Sequence, residues 1–419
     1  MRLAAVFRDA PPIQQGALPM KRLIPFALML LSPTASFAGA EDKELWISLG
    51  ADAMEPVAEA FAKEGWKLPP PSLTKKEVSV IPVRESQLER IAHVMHEKFN
   101  RCAGFVTFET RDEAEKSLVP EPLAPTQELV TYTIDNATAV NCMIGRLTES
   151  GVRSTITTLS GYTTRYYTHT TGVNAANALR TLWANIAASR SDITASLFTH
   201  AAWAQPSVVL TIPGSSLASE VVVVGGHLDS ISSGSVAPGA DDNASGIASF
   251  TEVIRAAVSC NYRPLRTVKF IGYAAEEVGL RGSKEIAAWH KNNAINVVGV
   301  LQLDMTNYKR AGNNHDVGVV TDYTNSAQNT FLRNLITTYG GGIVQRDTTC
   351  GYACSDHASW TNQGFAASIP HESTVSSGNP YIHTVNDTIA QSGSNANHAL
   401  KFSRIAAGFV GELAKGTTN

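Results

Sequence analysis

The sequence predicts an α/β protein: a mostly parallel mixed sheet with helices on both faces, preceded by a small α/β pro-segment. From about Gln127 onward, short β-branched apolar runs alternate with segments whose apolar residues recur at helical spacing. One run, Val221–Val224, is entirely β-branched, as expected for a strand buried on both faces. Alternation of this kind favours parallel strands connected by helices that cover the sheet.

In chain order, the predicted strands of this region are 207–212, 220–224, 267–273, 297–303, 317–320 and 366–369. The predicted helices are 244–259, 283–292, 326–339 and 398–414. Pro213 and Gly214 predict a hairpin between the first two strands. Ligands of such sheets bind beyond the carboxyl ends of the strands, where His227, Glu276 and Asp304 are expected to meet.

Residues 1–40 have the pattern of an export signal. Met20–Arg22 is basic, Leu23–Leu31 is apolar but too short to span a bilayer, and Ala38–Ala40 offers a small-residue cleavage site. We therefore expect Met20 to be the initiator, the protein to be secreted, and no stable membrane insertion after signal removal. A mitochondrial-type leader or a buried helix is the alternative.

Residues 41–120 alternate between helix and strand patterns, with helices predicted at 54–64 and 85–99 and strands at 77–83 and 104–109. The proline-rich residues 121–126 then predict a protease-accessible linker. We interpret 41–120 as the pro-segment of a zymogen, joined to a catalytic domain at 127–419 and released by a processing protease. The alternative is a permanent accessory domain.

Composition excludes some functions. The 419 residues are 43% hydrophobic and 17% charged, with a net charge of −3, so no basic field is present to bind nucleic acid. Cys142 and Cys260 are candidates for a disulfide in an exported protein, although spacing alone does not establish the pair. Cys102 is left over, and a zinc–thiolate site would need a second cysteine pair at ligand spacing.

Acidic and imidazole side chains follow the predicted strands or lie in loops beside them. Two glycines before His227 let the strand exit bend, and Asp229 projects to the same side two residues later. One of this pair is expected to bind a metal and the other to orient it. Helix capping explains one acid at Asp241–Asn243, but two acids there suggest a carboxylate that bridges two cations.

Glu276 and Glu277 are adjacent, so both cannot point in one direction along regular structure. One can bind a metal while the other serves as the base for an attacking water. A solvated acidic helix start is the alternative. Asp304 terminates an apolar strand, and His383 lies in a loop-like context. Together these residues predict a two-zinc exopeptidase, whereas the sequence contains no nucleophile elbow, phosphate loop or His-Glu-x-x-His helix.

Four segments resemble the secreted bacterial leucyl aminopeptidases of the M28 metallopeptidase family: 237–246, 273–283, 301–308 and 350–357. The resemblance extends over about Gln127 to Gly416. It implies the zinc exopeptidase type of fold, two Zn²⁺ ions, peptide or protein N-termini as substrates with a hydrophobic first residue, and a cis peptide bond between Asp242 and Asn243.

The resemblance also implies a role for each matching residue. Asp242 would bridge the two zinc ions, with His227 and Asp304 on one of them and Glu277 and His383 on the other. Glu276 would be the general acid and base, Asp229 would orient His227, and Tyr352 would help to hold the oxyanion, positioned by a Cys350–Cys354 disulfide. His371, Val375 and Gly378 depart from the family, since bulkier aromatic walls usually occur there, so a wider or more polar pocket is expected.

Three other functions remain possible on these residues. A carboxypeptidase or a glutaminyl cyclase could share the fold, although Glu276–Glu277 and the Cys350–Cys354 loop favour an aminopeptidase. A metal-free binding ectodomain on the same scaffold would be expected to lack ligands, and no ligand is missing from the sequence.

Overall fold

The computed structural model describes residues 42–75, 77–99, 101, 104–119 and 130–418, which belong to one unit. The predicted leader at 1–40 and the predicted linker at 121–126 lie outside these residues, as does Cys102. Among the described residues, no helix combines the length and apolar content that crossing a membrane would require.

Residues 42–119 form what we call the N-terminal module. Its elements are β1 (Glu44–Gly50), α1 (Met54–Lys63), β2 (Leu73–Lys75), β3 (Val78–Arg84), α2 (Leu88–Phe99), β4 (Phe105–Phe108) and α3 (Arg111–Ser117). The four predicted elements correspond to α1, β3, α2 and β4. The sheet of the module, within the described residues, has the order β2-β3-β1-β4 with antiparallel pairs. Its central strand β1 is additional to the prediction, although Leu45, Ile47 and Leu49 alternate inward in the strand pattern.

Residues 130–418 form the main domain. Three helices come first: α4 (Ala137–Ile144), α5 (Glu149–Ser160) and α6 (Thr170–Ile186). The strands are β5 (Thr194–Phe198), β6 (Ser207–Ile212), β7 (Leu217–His227), β8 (Arg266–Tyr273), β9 (Asn296–Gln302), β10 (Val317–Val320), β11 (Gln345–Thr348), β12 (Ala367–Ser368) and β13 (Pro370–His371). The remaining helices are α7 (Gly246–Ser259), α8 (Arg281–Asn292), α9 (Ser326–Tyr339), α10 (His357–Asn362) and α11 (Asn397–Ala414). Each predicted strand and helix of this region is therefore confirmed to within a few residues.

The main sheet has the strand order β12-β9-β7-β8-β6-β5 among the described residues. The pairs from β12 to β8 are parallel, and β6 and β5 add an antiparallel edge. The predicted mixed α/β fold is thus confirmed. A smaller sheet has the order β11-β10-β13.

The predicted hairpin between residues 207–212 and 220–224 is wrong. β8 lies between β6 and β7, and it pairs antiparallel with the first and parallel with the second. The connection instead wraps around the start of β8, where Gly214 N donates to Thr267 Oγ1 at 3.1 Å and Ser215 N to Leu265 O at 3.0 Å. Local turn signals identify a reversal of the chain, but they do not show that a later strand enters between its two arms.

Helices cover both faces of the main sheet, as predicted. Val222 and Val224 of β7 pack in the cluster that includes α4–α7 and α11, whereas Val221 and Val223 pack with Ile286 of α8 and Trp360 of α10. Alternate residues of one strand therefore belong to two cores, which explains why Val221–Val224 is apolar without interruption.

Two disulfides are present among the described cysteines: Cys142–Cys260, which joins α4 to the residue after α7, and Cys350–Cys354. The pairing that spacing left open is now assigned. These four cysteines have no thiol left for a zinc–thiolate site.

Candidate metal centre

The carboxyl ends of three neighbouring strands bring the candidate ligands together. His227 is the last residue of β7, and Asp304 follows β9 on one side of it. On the other side, Glu276 and Glu277 lie in the connection from β8 to α8, residues 274–280, which we call the glutamate loop. Asp242 comes from an irregular turn, Ala240–Ser245, that leads into α7, and His383 from a loop near the C-terminus.

Asp242 stands between two imidazoles. Its Oδ1 lies 2.9 Å from Nε2 of His227, and its Oδ2 lies 3.2 Å from Nε2 of His383. The His227 nitrogen is also 3.3 Å from Asp304 Oδ1, and the His383 nitrogen is 2.8 Å from Glu277 Oε2. Two groups of three ligand-type side chains therefore share one carboxylate, and the ligand atoms within each group lie within 4.8 Å of one another.

The buried charge of this cluster fits a cation. The side chains of His227, Glu277, Asp304 and His383 are all at most 4% exposed. Among the described residues, His227 Nε2, His383 Nε2, Asp304 Oδ1 and both carboxylate oxygens of Glu277 have no hydrogen-bond partner. Buried carboxylates without donors are costly unless a cation neutralises them, and imidazole plus carboxylate is the donor set that zinc accepts. The side chains present therefore fit zinc.

The pKa values of Glu277 and His383 also fit a site for a cation. Burial raises the pKa of Glu277 to about 7, although His383 opposes the shift. Burial lowers the pKa of His383, but Glu277 and Asp242 outweigh it and raise the value to about 10. Without a cation these groups hold protons at neutral pH, so metal binding must displace protons and will strengthen as pH rises.

Glu276 belongs to neither ligand group. It is fully buried, and both of its carboxylate oxygens lack a hydrogen-bond partner within the part of the chain that is described. Burial raises its pKa well above the usual value, and the nearby His227 offsets part of the shift. A buried carboxylate beside a metal site, with its pKa raised, has the property required of a general base near neutral pH.

Asp229 holds the glutamate loop. Its two oxygens accept hydrogen bonds from the backbone N–H groups of Glu276 and Glu277, at 3.0 and 3.1 Å. The Nδ1 atom of His227 lies 3.5 Å from the same carboxylate and 3.2 Å from the Asp229 carbonyl. One buried side chain thus connects an imidazole of the first group with the loop that carries Glu277 of the second.

Arg165 was not predicted from the sequence, yet it ties two of the site segments together. Its fully buried guanidinium donates to the carbonyl oxygens of Leu228, Pro238 and Gly239, which flank His227 and Asp242. Burial lowers its pKa to about 10, so it stays charged at neutral pH. A single arginine in an irregular segment carries no sequence signal for this role.

A second unpredicted residue, Asp387, supports the backbone of Asp242. It accepts hydrogen bonds from the N–H groups of Asp241 and Asp242, at 3.1 and 3.0 Å, and Asn379 donates to both Asp387 and Asp241. On the other side, Ser355 Oγ donates to Asp304 at 2.5 Å. In the sequence, the only signal for this role of Asp387 is its position four residues after His383.

Unusual backbone conformations surround the cluster. The Asp242–Asn243 peptide bond is cis, as the resemblance implies. Ala275, Met305 and His383 have φ values of 56°, 54° and 54°, in the left-handed region that side chains other than glycine disfavour. Left-handed conformations of residues other than glycine cost about 1–3 kcal/mol each and concentrate at functional sites.

A pocket opens beside Asp304. It is lined by Tyr352, the Cys350–Cys354 disulfide and the apolar side chains of Met305, Val320, Ile369 and Ile382. His371, Val375 and Gly378 also line it, at the positions where the sequence departs from the family pattern. Burial lowers the pKa of His371, so this wall is uncharged at neutral pH.

Comparison with known proteins identifies the family. The model of peptidase family M28 matches residues 207–410. Leucine aminopeptidase 1 of Arthroderma otae is 38% identical over 70% of this chain and 82% of its own length. A probable aminopeptidase of Saccharomyces cerevisiae is 32% identical over 81% of this chain and 90% of its own length. The crystal structure of the Legionella pneumophila LapA aminopeptidase superimposes with a TM-score of 0.74 at 28% identity, covering 89% of this chain and 99% of that chain. The chain therefore belongs to peptidase family M28, as a zinc-dependent aminopeptidase.

Proposed function

We propose that the protein is a secreted aminopeptidase that holds two zinc ions and removes a hydrophobic residue from the N-terminus of peptides. The observation that carries this proposal is the pair of ligand groups that share Asp242, with Glu276 free beside them. His227 and Asp304 would hold one ion, Glu277 and His383 the other, and Asp242 would contact both.

The residues of the chain have distinct proposed tasks. Zinc, when bound, supplies Lewis-acid activation of water and of the scissile carbonyl. Glu276 accepts the proton of the attacking water and returns it to the leaving amine, since its carboxylate is buried, unpartnered and high in pKa. Tyr352 lines the pocket that Asp304 also lines, and its hydroxyl is assigned to the developing oxyanion. Asp229 fixes the glutamate loop and the His227 ring.

The lining of the pocket supports an uncharged, apolar first residue. Its walls include Met305, Val320, Ile369, Val375 and Ile382, and His371 is neutral at neutral pH. We expect purified protein to hydrolyse leucine and phenylalanine anilides faster than lysine anilide, to bind two zinc ions per chain, and to fail on N-acetylated substrates. Full activity with one zinc ion, or cleavage from the carboxyl end, would contradict the proposal.

Glu276 offers the sharpest test of the mechanism. Replacing the base while leaving the ligands intact should keep zinc bound, so we expect Glu276→Ala to retain the wild-type zinc content and lose activity by about 10²–10⁴-fold. Metal analysis and anilide kinetics measure both quantities. Glu59→Ala, on the exposed surface of α1, is the matched control. Near-normal turnover by Glu276→Ala would remove its assigned role.

Secretion is supported by the leader pattern and by the two disulfides, which persist in oxidising compartments. N-terminal sequencing of the exported protein is expected to begin at Glu41. The interpretation of 41–120 as a zymogen pro-segment, cut within 121–126 by a processing protease, stays a prediction.

A further inference from the structure

We propose that His200 is a positioning residue for the reaction. With Ser207 and Glu285 it forms a chain of hydrogen bonds, which we call the histidine relay, that fixes both ends of the glutamate loop. The inference rests on the proposed role of Glu276 as the general base, because this loop carries Glu276. It deepens that function by naming a support of the base that lies outside both ligand groups. The match to the family model begins at Ser207, so His200 lies outside the matched residues.

The relay joins three segments of the main domain. His200 lies in the connection from β5 to β6, Ser207 is the first residue of β6, and Glu285 lies in the second turn of α8. His200 Nδ1 is 2.6 Å from Glu285 Oε2, and His200 Nε2 is 2.8 Å from Ser207 Oγ. The backbone N–H of Ala274 then donates to Ser207 Oγ at 3.0 Å. One continuous chain of contacts therefore runs from helix α8 to the first residue of the glutamate loop.

The hydrogen-bonding capacity of each group sets the direction of this chain for a neutral imidazole. The Ala274 N–H can only donate, so it occupies a lone pair of Ser207 Oγ and leaves the hydroxyl proton free. That proton is donated to His200 Nε2, and the ring proton on Nδ1 is donated to the Glu285 carboxylate. Every donor in the relay thus has an acceptor, and the hydroxyl that holds Ala274 is itself held in one orientation.

A hydroxyl, an imidazole and a carboxylate in this order also form the nucleophile triads of serine hydrolases. Ser207 does not have that role. It is completely buried, and its oxygen already accepts from Ala274 and contacts His200. A nucleophile must reach a substrate carbonyl, which a fully buried hydroxyl cannot do. The relay is therefore a support for the backbone of the loop.

Packing holds the His200 ring in one orientation. Its side chain is completely buried. The ring of Trp203 stacks on it, with centroids 4.4 Å apart and 20° between the planes, and the ring of Phe198 lies at 5.2 Å. An imidazole between two aromatic neighbours is not free to turn towards other partners, so it keeps the Ser207 hydroxyl in place.

The relay acts where the backbone ladder of the sheet stops. β6 and β8 pair antiparallel as far as Val208 and Gly272, and Ala274 lies two residues beyond that pair. The Ser207 side chain supplies the acceptor that a neighbouring strand no longer provides. Ala274 is completely buried. A buried backbone N–H without a partner would cost about 1–3 kcal/mol, so the hydroxyl has a measurable task.

Two supports hold the loop on either side of a strained residue, Ala275, whose φ is 56°. Before it, Ser207 holds the Ala274 N–H. After it, Asp229 holds the Glu276 N–H. The left-handed conformation persists only where the surrounding structure imposes it. Release of Ala274 would let this backbone relax and would turn the Glu276 side chain, so His200 acts on the base through the loop without touching substrate.

The far end of the loop is tied to the same relay. α8 begins at Arg281, directly after the loop ends, and carries Glu285. The Gly282 N–H donates to Ala274 O at 3.1 Å, so the start of the helix also contacts the start of the loop. Through His200, the first residue of β6 is therefore connected both to the first residue of the loop and to the helix that follows it.

Variants of His200 and Ser207 test the relay. His200→Phe keeps an aromatic ring and removes both hydrogen bonds, whereas Ser207→Ala removes the acceptor of the Ala274 N–H. For either variant we expect kcat on leucine anilide to fall about five- to tenfold, the effect of roughly one net hydrogen bond, with KM and zinc content within about twofold of wild type. Because both changes break the same chain, kcat of the double variant should lie within about twofold of the single variants. Ser196→Ala, an exposed hydroxyl on β5, is the control.

Glu285 offers a milder pair of variants, since its side chain is 37% exposed. Glu285→Ala removes the acceptor of the ring N–H and should lower kcat by at least about twofold. Glu285→Gln keeps an acceptor oxygen and should restore kcat. A wild-type kcat per zinc-loaded chain in His200→Phe, Ser207→Ala and Glu285→Ala, with only Tm lowered, would assign the relay to stability alone and overturn the positioning role.

Hydrogen–deuterium exchange measures the same support without relying on turnover. We expect the amides of residues 274–280 to exchange about tenfold faster in His200→Phe than in wild type, and Ser196→Ala to leave their exchange unchanged. Equal protection in His200→Phe and wild type would contradict the relay. Wild-type activity and zinc content test the proposed function, whereas these exchange rates and the ratio of variant to wild-type kcat test this inference, so the two failures are distinguishable.

Discussion

At the residue scale, the buried carboxylate of Asp229 contacts both halves of the candidate metal centre. Asp229 binds the backbone of Glu276 and Glu277 and lies beside the ring of His227. The sequence predicts that Asp229 and His227 act together, because residues two apart on a strand share a face. It does not predict that Asp229 also fixes the following strand's loop, since that contact depends on the pairing of β7 with β8.

The variant Asp229→Asn tests this role. The asparagine amide has one oxygen, which can replace only one of the two carboxylate oxygens that accept from the Glu276 and Glu277 N–H groups. Its NH₂ group would face the second N–H, so the glutamate loop and the His227 ring lose support. We expect zinc affinity or activity to fall about 10–100-fold. Titration with a competing chelator measures the affinity, and Asp112→Asn, exposed on α3, is the control. Unchanged affinity together with unchanged kcat would show that the carboxylate does not orient the site.

Sequence reasoning recognises residues whose chemistry stands out and overlooks those whose chemistry is ordinary. His227, the two glutamates and Asp304 stand out because such side chains rarely follow apolar strands. Asp242 stands out because two acids precede one helix, and His383 only through the family resemblance. Arg165 and Asp387 are not found, because a buried arginine and a loop aspartate acquire their roles only from distant partners.

At the scale of elements, strand type and helix position follow from periodicity, but strand neighbours do not. The apolar run Val221–Val224 identifies a central strand, and its position between β8 and β9 confirms this. The predicted hairpin of β6 and β7 is wrong because β8, some forty residues later, provides a better partner for both. Long-range pairing of this kind is set by the total burial of the sheet rather than by the turn.

The contact between β8 and α8 makes the fold sensitive to acid. His290 of α8 is 3% exposed; its Nδ1 lies 2.7 Å from Ile286 O, and its Nε2 lies 2.9 Å from Lys269 Nζ of β8. Burial, together with the lysine charge, lowers the pKa of His290 to about 4. Between about pH 6.5 and 4 this ring therefore stays neutral in the native state. In the unfolded chain, where its pKa is near 6.5, it takes up a proton.

The sign of the pH effect follows from this difference. The unfolded state binds more protons between pH 6.5 and 4, so the free energy of unfolding should fall as pH falls through that window, by roughly 3 kcal/mol at most for this group. Urea denaturation of zinc-loaded protein at several pH values measures the slope. His290→Gln should flatten it relative to wild type and to the exposed control His169→Gln. An unchanged slope would show that His290 does not contribute.

At the scale of the whole molecule, the boundary that the sequence draws between pro-segment and catalytic domain is not a boundary of packing. Two hydrophobic clusters contain residues from both sides of it. Composition predicts a proline-rich linker at 121–126, because proline restricts the local backbone. It does not reveal the docked interface, because Ala275, Val278 and Leu280 have the same apolar character as residues of an ordinary domain core.

The two disulfides should contribute unequally to global stability. Cys142–Cys260 closes a loop of 118 residues and Cys350–Cys354 a loop of four. In the chain-entropy description the long loop restricts the unfolded state more, by about 4–5 kcal/mol against about 2 kcal/mol. We therefore expect the double variant Cys142→Ser/Cys260→Ser to lose more stability in urea denaturation than Cys350→Ser/Cys354→Ser. The short loop lines the pocket beside Asp304 together with Tyr352, and on the proposed function its loss should raise KM or lower kcat on leucine anilide. Equal losses of stability in the two double variants, with unaltered kinetics in both, would contradict this assignment. Cys142–Cys260 would then not stabilise the fold more than Cys350–Cys354, and Cys350–Cys354 would not shape the pocket.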